Sequence, residues 1–110
     1  MLQPMEERMV LIAGSDAASM RQASMELFRA GHVPVMVEWL AAPLVALSGL
    51  DGAADRTVDE IVHPLSERLL ARCDAVLRVD GPSVPADAVV SLARARGLRV
   101  FFSLQEAIDG

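Results

Sequence analysis

A chain of 110 residues is long enough for one core of a few strands with covering helices and too short for two independent cores. Fifteen acidic residues against ten basic ones give a net charge of −5 with no basic cluster, which argues against a partner as acidic as a nucleic-acid polymer. All ten basic residues are arginine and tyrosine is absent, so Schiff-base chemistry, a phosphate-loop lysine and a phenolic acid or base are excluded.

The apolar fraction of 53% and mean hydropathy of +0.36 are high for a small domain. An excess of this kind is expected where a partner covers apolar surface, most simply a second copy, so a homodimer is expected. Leu40 to Leu50 is the longest apolar run, but Pro43, Ser48 and Gly49 interrupt it and it is too short for a bilayer. With no charged segment leading into an apolar one at the start, a cytoplasmic protein without a membrane partner is the expectation. The single cysteine, Cys73, can form neither an intramolecular disulfide nor a cysteine-based zinc site, and it reads as a small core residue. No metal site and no cofactor is expected.

In chain order, Met9 to Ala13 is a continuous apolar run, as in a central strand covered on both faces. It leads into Gly14-Ser15-Asp16. Met20, Ser24, Leu27 and Phe28 then recur at helical spacing, with Gly31 as the stop. His32 to Val37 reads as a second strand, and Pro34 within it assigns it to a sheet edge, because proline cannot donate to a ladder. Leu40 to Leu47 reads as a short helix ended by Gly49, beside the site as a flap or facing a partner subunit, with a turn at Asp51-Gly52.

Thr57 and Glu60 fit a capping box, which predicts a helix from Val58 to about Arg72 with Val58, Ile61, Val62, Leu65 and Leu69 on one face. Pro64 should kink that helix or restart it. Ala75 to Val79 is the third strand. Ala86, Val89, Val90 and Ala93 mark the next helix, closed by Gly97, and Arg99 to Phe102 the fourth strand. Ser103 and Glu106 form a second capping box at the head of a C-terminal helix. The alternation predicts one α/β domain over residues 1–110, a three-layer sandwich with a four-stranded parallel sheet of order 2-1-3-4, flavodoxin-like or Rossmann-like.

In such a sheet a ligand binds beyond the carboxyl ends of the strands, which directs attention to Gly14, Ser15 and the turn Asp80-Gly81-Pro82-Ser83. Backbone amides at the following helix starts can hold a phosphate or a sugar hydroxyl, although glycine and serine there also serve ordinary turns and caps. Asp80 can bind ribose hydroxyls or simply bond its own backbone. Glu38 and Trp39 are placed to hydrogen-bond and stack on a base, and Trp39 equally suits an interface. His63 with Asp59 can serve as an acid–base pair or have a structural role.

Taken together, Ile12-Ala13-Gly14-Ser15, Gly31-His32-Val33-Pro34-Val35, and Cys73-Asp74-Ala75-Val76-Leu77 followed by Asp80-Gly81-Pro82-Ser83 resemble the nucleoside 2-deoxyribosyltransferase-like superfamily. The resemblance is to its short bacterial members and runs from about Met9 to Leu104. It implies a nucleoside or nucleotide site between the ends of strands one and three. It also implies glycosidic cleavage through a glutamate nucleophile and a covalent sugar intermediate, as in retaining glycosidases. The family pattern after the third strand is Ser, any residue, Gly, Ala, two residues, then the glutamate. Ser83 and Ala86 match it, but Pro85 stands at the glycine position and Val89 at the glutamate.

Asp87 is no simple substitute, because two positions along a helix rotate a side chain by roughly 200°. The expected function is therefore N-glycosidic cleavage or deoxyribosyl transfer relying on Asp80 or Asp59. Gly14, Ser15, Glu38, Trp39, Gly81 and Ser83 would bind the nucleoside or nucleotide-like ligand. The alternatives are a nucleotide or phospho-sugar binding module without catalysis, and a dimeric structural module.

Overall fold

The computed structural model describes residues 7–49 and 54–109, apart from the side chains of residues 54, 55, 58 and 59. Strand β1 (Met9–Ala13) leads into helix α1 (Ala17–Arg29), edge strand β2 (Val33–Val35) and helix α2 (Val37–Ser48). Helix α3 (Ala54–Thr57) continues through a π-helical segment, Val58–Val62, into α4 (His63–Leu70). Strand β3 (Ala75–Arg78), α5 (Val84–Ala95), β4 (Arg99–Phe101) and α6 (Leu104–Asp109) follow.

The four strands form one parallel sheet ordered β2-β1-β3-β4, which places Pro34 on the edge strand, as its missing donor requires. Val10 to Ala13 pair with Ala75 to Arg78, so the most buried strands of the molecule lie side by side at its centre. Their alternation divides the core. Val10, Ile12, Ala75 and Leu77 point toward α1 and α6 and meet Met20, Ala23, Leu27 and Ala107. Leu11, Ala13 and Val76 point the other way and meet Leu70, Cys73, Ala86 and Ala93 of the α4 and α5 side. Helices thus cover both faces, and the architecture is the expected three-layer α/β sandwich.

Asp74 and His32 close the amino-terminal edge of the sheet. The Met9 amide donates to Asp74 Oδ2 at 2.8 Å, and the Arg8 amide donates to Nδ1 of buried His32 at 3.3 Å.

Several local expectations are corrected. Phe28 lies off the buried face of α1 and is 66% exposed, because one helical step carries it about 100° from Leu27. Strand β2 is shorter than His32 to Val37, since α2 already starts at Val37. Thr57 is not a helix cap. Helical structure begins at Ala54 and passes through it, and Glu60 pairs with Arg56 (Nε to Oε2, 2.9 Å) one turn away. The disruption expected at Pro64 takes the form of the π-helical turn just before it, a register change that accommodates a position lacking an amide donor. The turn at Asp51-Gly52 lies outside the described residues. At the other end of the chain, Ser103 caps α6 as expected, accepting from the Glu106 amide at 3.1 Å.

Candidate functional site

Both central strands end in turns that face each other across the top of the sheet. Gly14 is required there by close approach. A side chain on it would place a Cβ 2.7 Å from Val79 Cγ2 and 2.8 Å from the Val79 carbonyl. Asp80 adopts a left-handed backbone (φ 69°), and Arg78 secures that turn from below. The Arg78 guanidinium is buried and reaches the carbonyls of Val79, Asp80 (3.4 Å) and Gly81 (2.7 Å), while its Nε pairs with Asp87 Oδ1 at 3.1 Å. A charged residue at the end of an apolar strand was the visible sign of this latch in the sequence, and site reasoning passed over it.

The latch sets the direction of Asp80, whose Oδ2 accepts the Asp16 amide at 3.0 Å and so ties the two turns together. Asp16 caps α1 in turn. Its Oδ2 accepts from the Ser19 hydroxyl at 2.8 Å and the Ser19 amide at 3.1 Å. These bonds, the hydroxyl first, hold the Asp16 carboxyl below its ordinary value of 3.8. At the other turn, Ser83 caps α5 by accepting the Ala86 amide at 3.2 Å, and Pro85 brings no amide at all. Carboxylates therefore occupy the start of α1, and a hydroxyl cap and an acidic first turn occupy the start of α5. The carboxylates beside both helix starts disfavour a phosphate there.

Beside these turns lies a cleft of about 460 Å³. Leu11, Ala13 and Gly14 of β1 and its turn contribute to its floor. Val37, Glu38 and Ala41 of α2 form one wall, Val62, His63 and Ser66 a second, and Ala86, Val89 and Leu92 of α5 a third. The lining is predominantly apolar. Glu38 is its one carboxylate among the described residues, with His63 the other ionisable group. The Ser66 hydroxyl donates to the Val62 carbonyl at 2.7 Å, so its hydrogen is committed to the helix and only its oxygen can serve a ligand.

The sequence-derived candidates separate into two groups. Gly14, Glu38, His63 and Val89 meet in the cleft. Asp80, Gly81 and Ser83 build the turn beside it, through the Asp16 amide, the Arg78 guanidinium and the α5 cap respectively. Ser15 is exposed in the β1–α1 turn, and Trp39 is 47% exposed outside the lining. The side chain of Asp59 lies outside the described residues. Sequence reasoning missed Ala41, Val62 and Ser66, since nothing in an apolar helix segment distinguishes a cleft wall from a core contact.

Among the described residues, no group of three or more histidine, cysteine or carboxylate side chains is arranged to hold a metal ion, and no helix is long and apolar enough to cross a membrane. No family model matches the chain, and no curated protein matches it.

Proposed function

We propose that this chain is a binding module for an uncharged nucleoside or nucleobase-like molecule, held in the cleft between α2, α4 and α5, and that it lacks the glutamate chemistry of the transferases it resembles. The carrying observation is Val89, at the position where the resemblance calls for a nucleophile and in the lining of the cleft itself. A cleft of about 460 Å³ suits a heterocycle with a sugar, and apolar walls favour its flat faces. Glu38 and His63 supply the polar contacts that orient such a ring. The carboxylates at the start of α1 repel a phosphoryl group, so the reading favours nucleosides over nucleotides and phospho-sugars. A cytoplasmic location belongs to the same reading.

Thermal denaturation with purine and pyrimidine nucleosides, matched against their monophosphates, tests this. A rise in melting temperature with at least one nucleoside, larger than with its monophosphate and abolished in Val89→Trp, is expected. Equal or greater stabilisation by the monophosphates would overturn the preference, and no stabilisation by any nucleoside would overturn the module itself.

A hydrolytic reading has one observation in its favour, the shared presence of Glu38 and His63 in the lining. In that case Glu38 would take the role of the missing carboxylate. Release of free base from deoxynucleosides, lost in Glu38→Gln, would establish the enzyme in place of the module.

A further inference from the structure

Helix α2 reads Val-Glu-Trp-Leu-Ala-Ala-Pro-Leu-Val-Ala-Leu-Ser, with Glu38 as its one charged residue. A helix apolar on all sides ordinarily has neighbours on all sides. Here, among the described residues, the elements packed most extensively on α2 are the π-helical segment and α4, on the side that carries Ala41, the one buried residue of the helix. On the opposite side, Trp39, Leu40, Leu44 and Leu47 are 47%, 44%, 46% and 86% exposed. At about 100° per residue these four, with exposed Pro43 among them, fall within roughly 140° of the helix circumference. They form one continuous apolar stripe. Leu40, Leu44 and Leu47 stand at i, i+4 and i+7, the spacing with which one helix interdigitates with another.

We propose that this stripe is the interface of a two-fold homodimer in which α2 of each protomer packs against α2 of the other. Three observations choose a second copy as the occupant. The first is charge. A two-fold axis places a patch against itself, so it suits a surface free of like charge, and the outer face of α2 meets that condition in a chain of net charge −5. The second is area. The four side chains expose on the order of 400 Å² of apolar surface, and two copies would bury about 800 Å² between them. The exposed Ala42, Pro43 and Ala46 beside them bring the total toward the roughly 1,200 Å² at which specific interfaces begin. The third is the absence of basic residues. A helix that lies on an anionic lipid surface carries lysine or arginine along its polar face, and α2 has neither.

The proposal is independent of the ligand reading, because it concerns the outer side of the helix that walls the cleft. Sedimentation equilibrium of the full chain tests it. The wild type is expected at twice the chain mass. Leu44→Glu and Leu47→Glu should each raise the dimer dissociation constant on the order of 100-fold or more, because a buried unpaired carboxylate is introduced twice at a symmetric interface. Both positions are exposed in the protomer, so far-UV circular dichroism should be unchanged, and Leu47→Glu at the more exposed position carries the test if Leu44→Glu folds poorly. Phe28→Glu, on exposed surface of α1, should leave the dimer intact. A monomeric wild type would overturn the proposal, whether or not a foreign protein binds it. So would a dimer that survives both α2 variants, or one that Phe28→Glu dissociates while they do not.

Discussion

The two faces of the sheet are covered to different degrees. On one, α1 and α6 lie against Val10, Ile12, Ala75 and Leu77 and close the core over fully buried Leu27 and Ala107. On the other, Leu70 of α4, Ala93 of α5 and Cys73 just before β3 meet the sheet but leave a cleft toward the carboxyl ends of the strands, with α2 as its outer wall. The closed face joins helices from the two ends of the chain, α1 capped at Asp16 and α6 capped at Ser103. The open face is built from α2, α4 and α5, with a π-helical segment leading into α4 and a proline in the first turn of both α4 (Pro64) and α5 (Pro85). The division sets a closely packed face against one with an accessible apolar cleft.

Truncation of the closed face should have the largest effect. Leu77→Ala leaves a cavity among buried neighbours and should cost about 3 kcal/mol, read from urea denaturation at constant m-value. Val89→Ala on the cleft wall should cost under about 1 kcal/mol, since its side chain already borders open space. Equal losses would erase the distinction between the faces.

Next comes the latch that joins them. Arg78→Met removes the donor shared by the β3–α5 turn carbonyls and Asp87, and should cost about 2 kcal/mol. Amide exchange at Asp16 should quicken in the same variant, because Asp80 loses the support that aims it at that amide. Ser83→Ala, which removes only the α5 cap, should cost about 1 kcal/mol.

The smallest effects are in titration. Burial first, and the charge of Asp74 second, push the Cys73 thiol from 9.0 up to about 11. It should therefore react slowly with a thiol reagent at mildly alkaline pH and fast once the chain is unfolded. Because the folded value is the higher one, the associated stability is complete below 9.0 and is lost as pH rises through about 11. Asp16 behaves oppositely. Its folded value is lowered, so its contribution is present above 3.8 and fades as the carboxyl protonates in acid. Melting curves of wild type and Asp16→Asn should converge at low pH and separate toward neutrality.

Much of this architecture was legible one residue at a time. The apolar run of β1, the donor missing at Pro34 and the serine caps of α5 and α6 each constrain their own neighbourhood, and together they favour the order that the sheet adopts. Where the reading failed, a local pattern had two meanings. Thr57 and Glu60 have the spacing of a cap, but Arg56 and Glu60 also have the spacing of an i,i+4 pair within a helix, and only the preceding turn at Ala54 decides between them. Similarly, Phe28 matches helical spacing while facing outward.

The candidate site divides along the same line. Gly14, Asp80 and Ser83 were recognisable as the ends of parallel strands because that position follows from the order of elements alone. Their engagements do not. Whether Asp80 faces a ligand or the Asp16 amide depends on the distance between two turns 64 residues apart, and on a guanidinium that approaches from beneath. Period and residue type alone establish the alternation of strands and helices, the central and edge strands, and the absence of glutamate at position 89. The bond that Asp80 accepts from the Asp16 amide at the start of α1, the apolar cleft lined by Val89 and the exposed leucine stripe of α2 emerge only once the chain is folded, because each depends on what lies across from a residue rather than beside it.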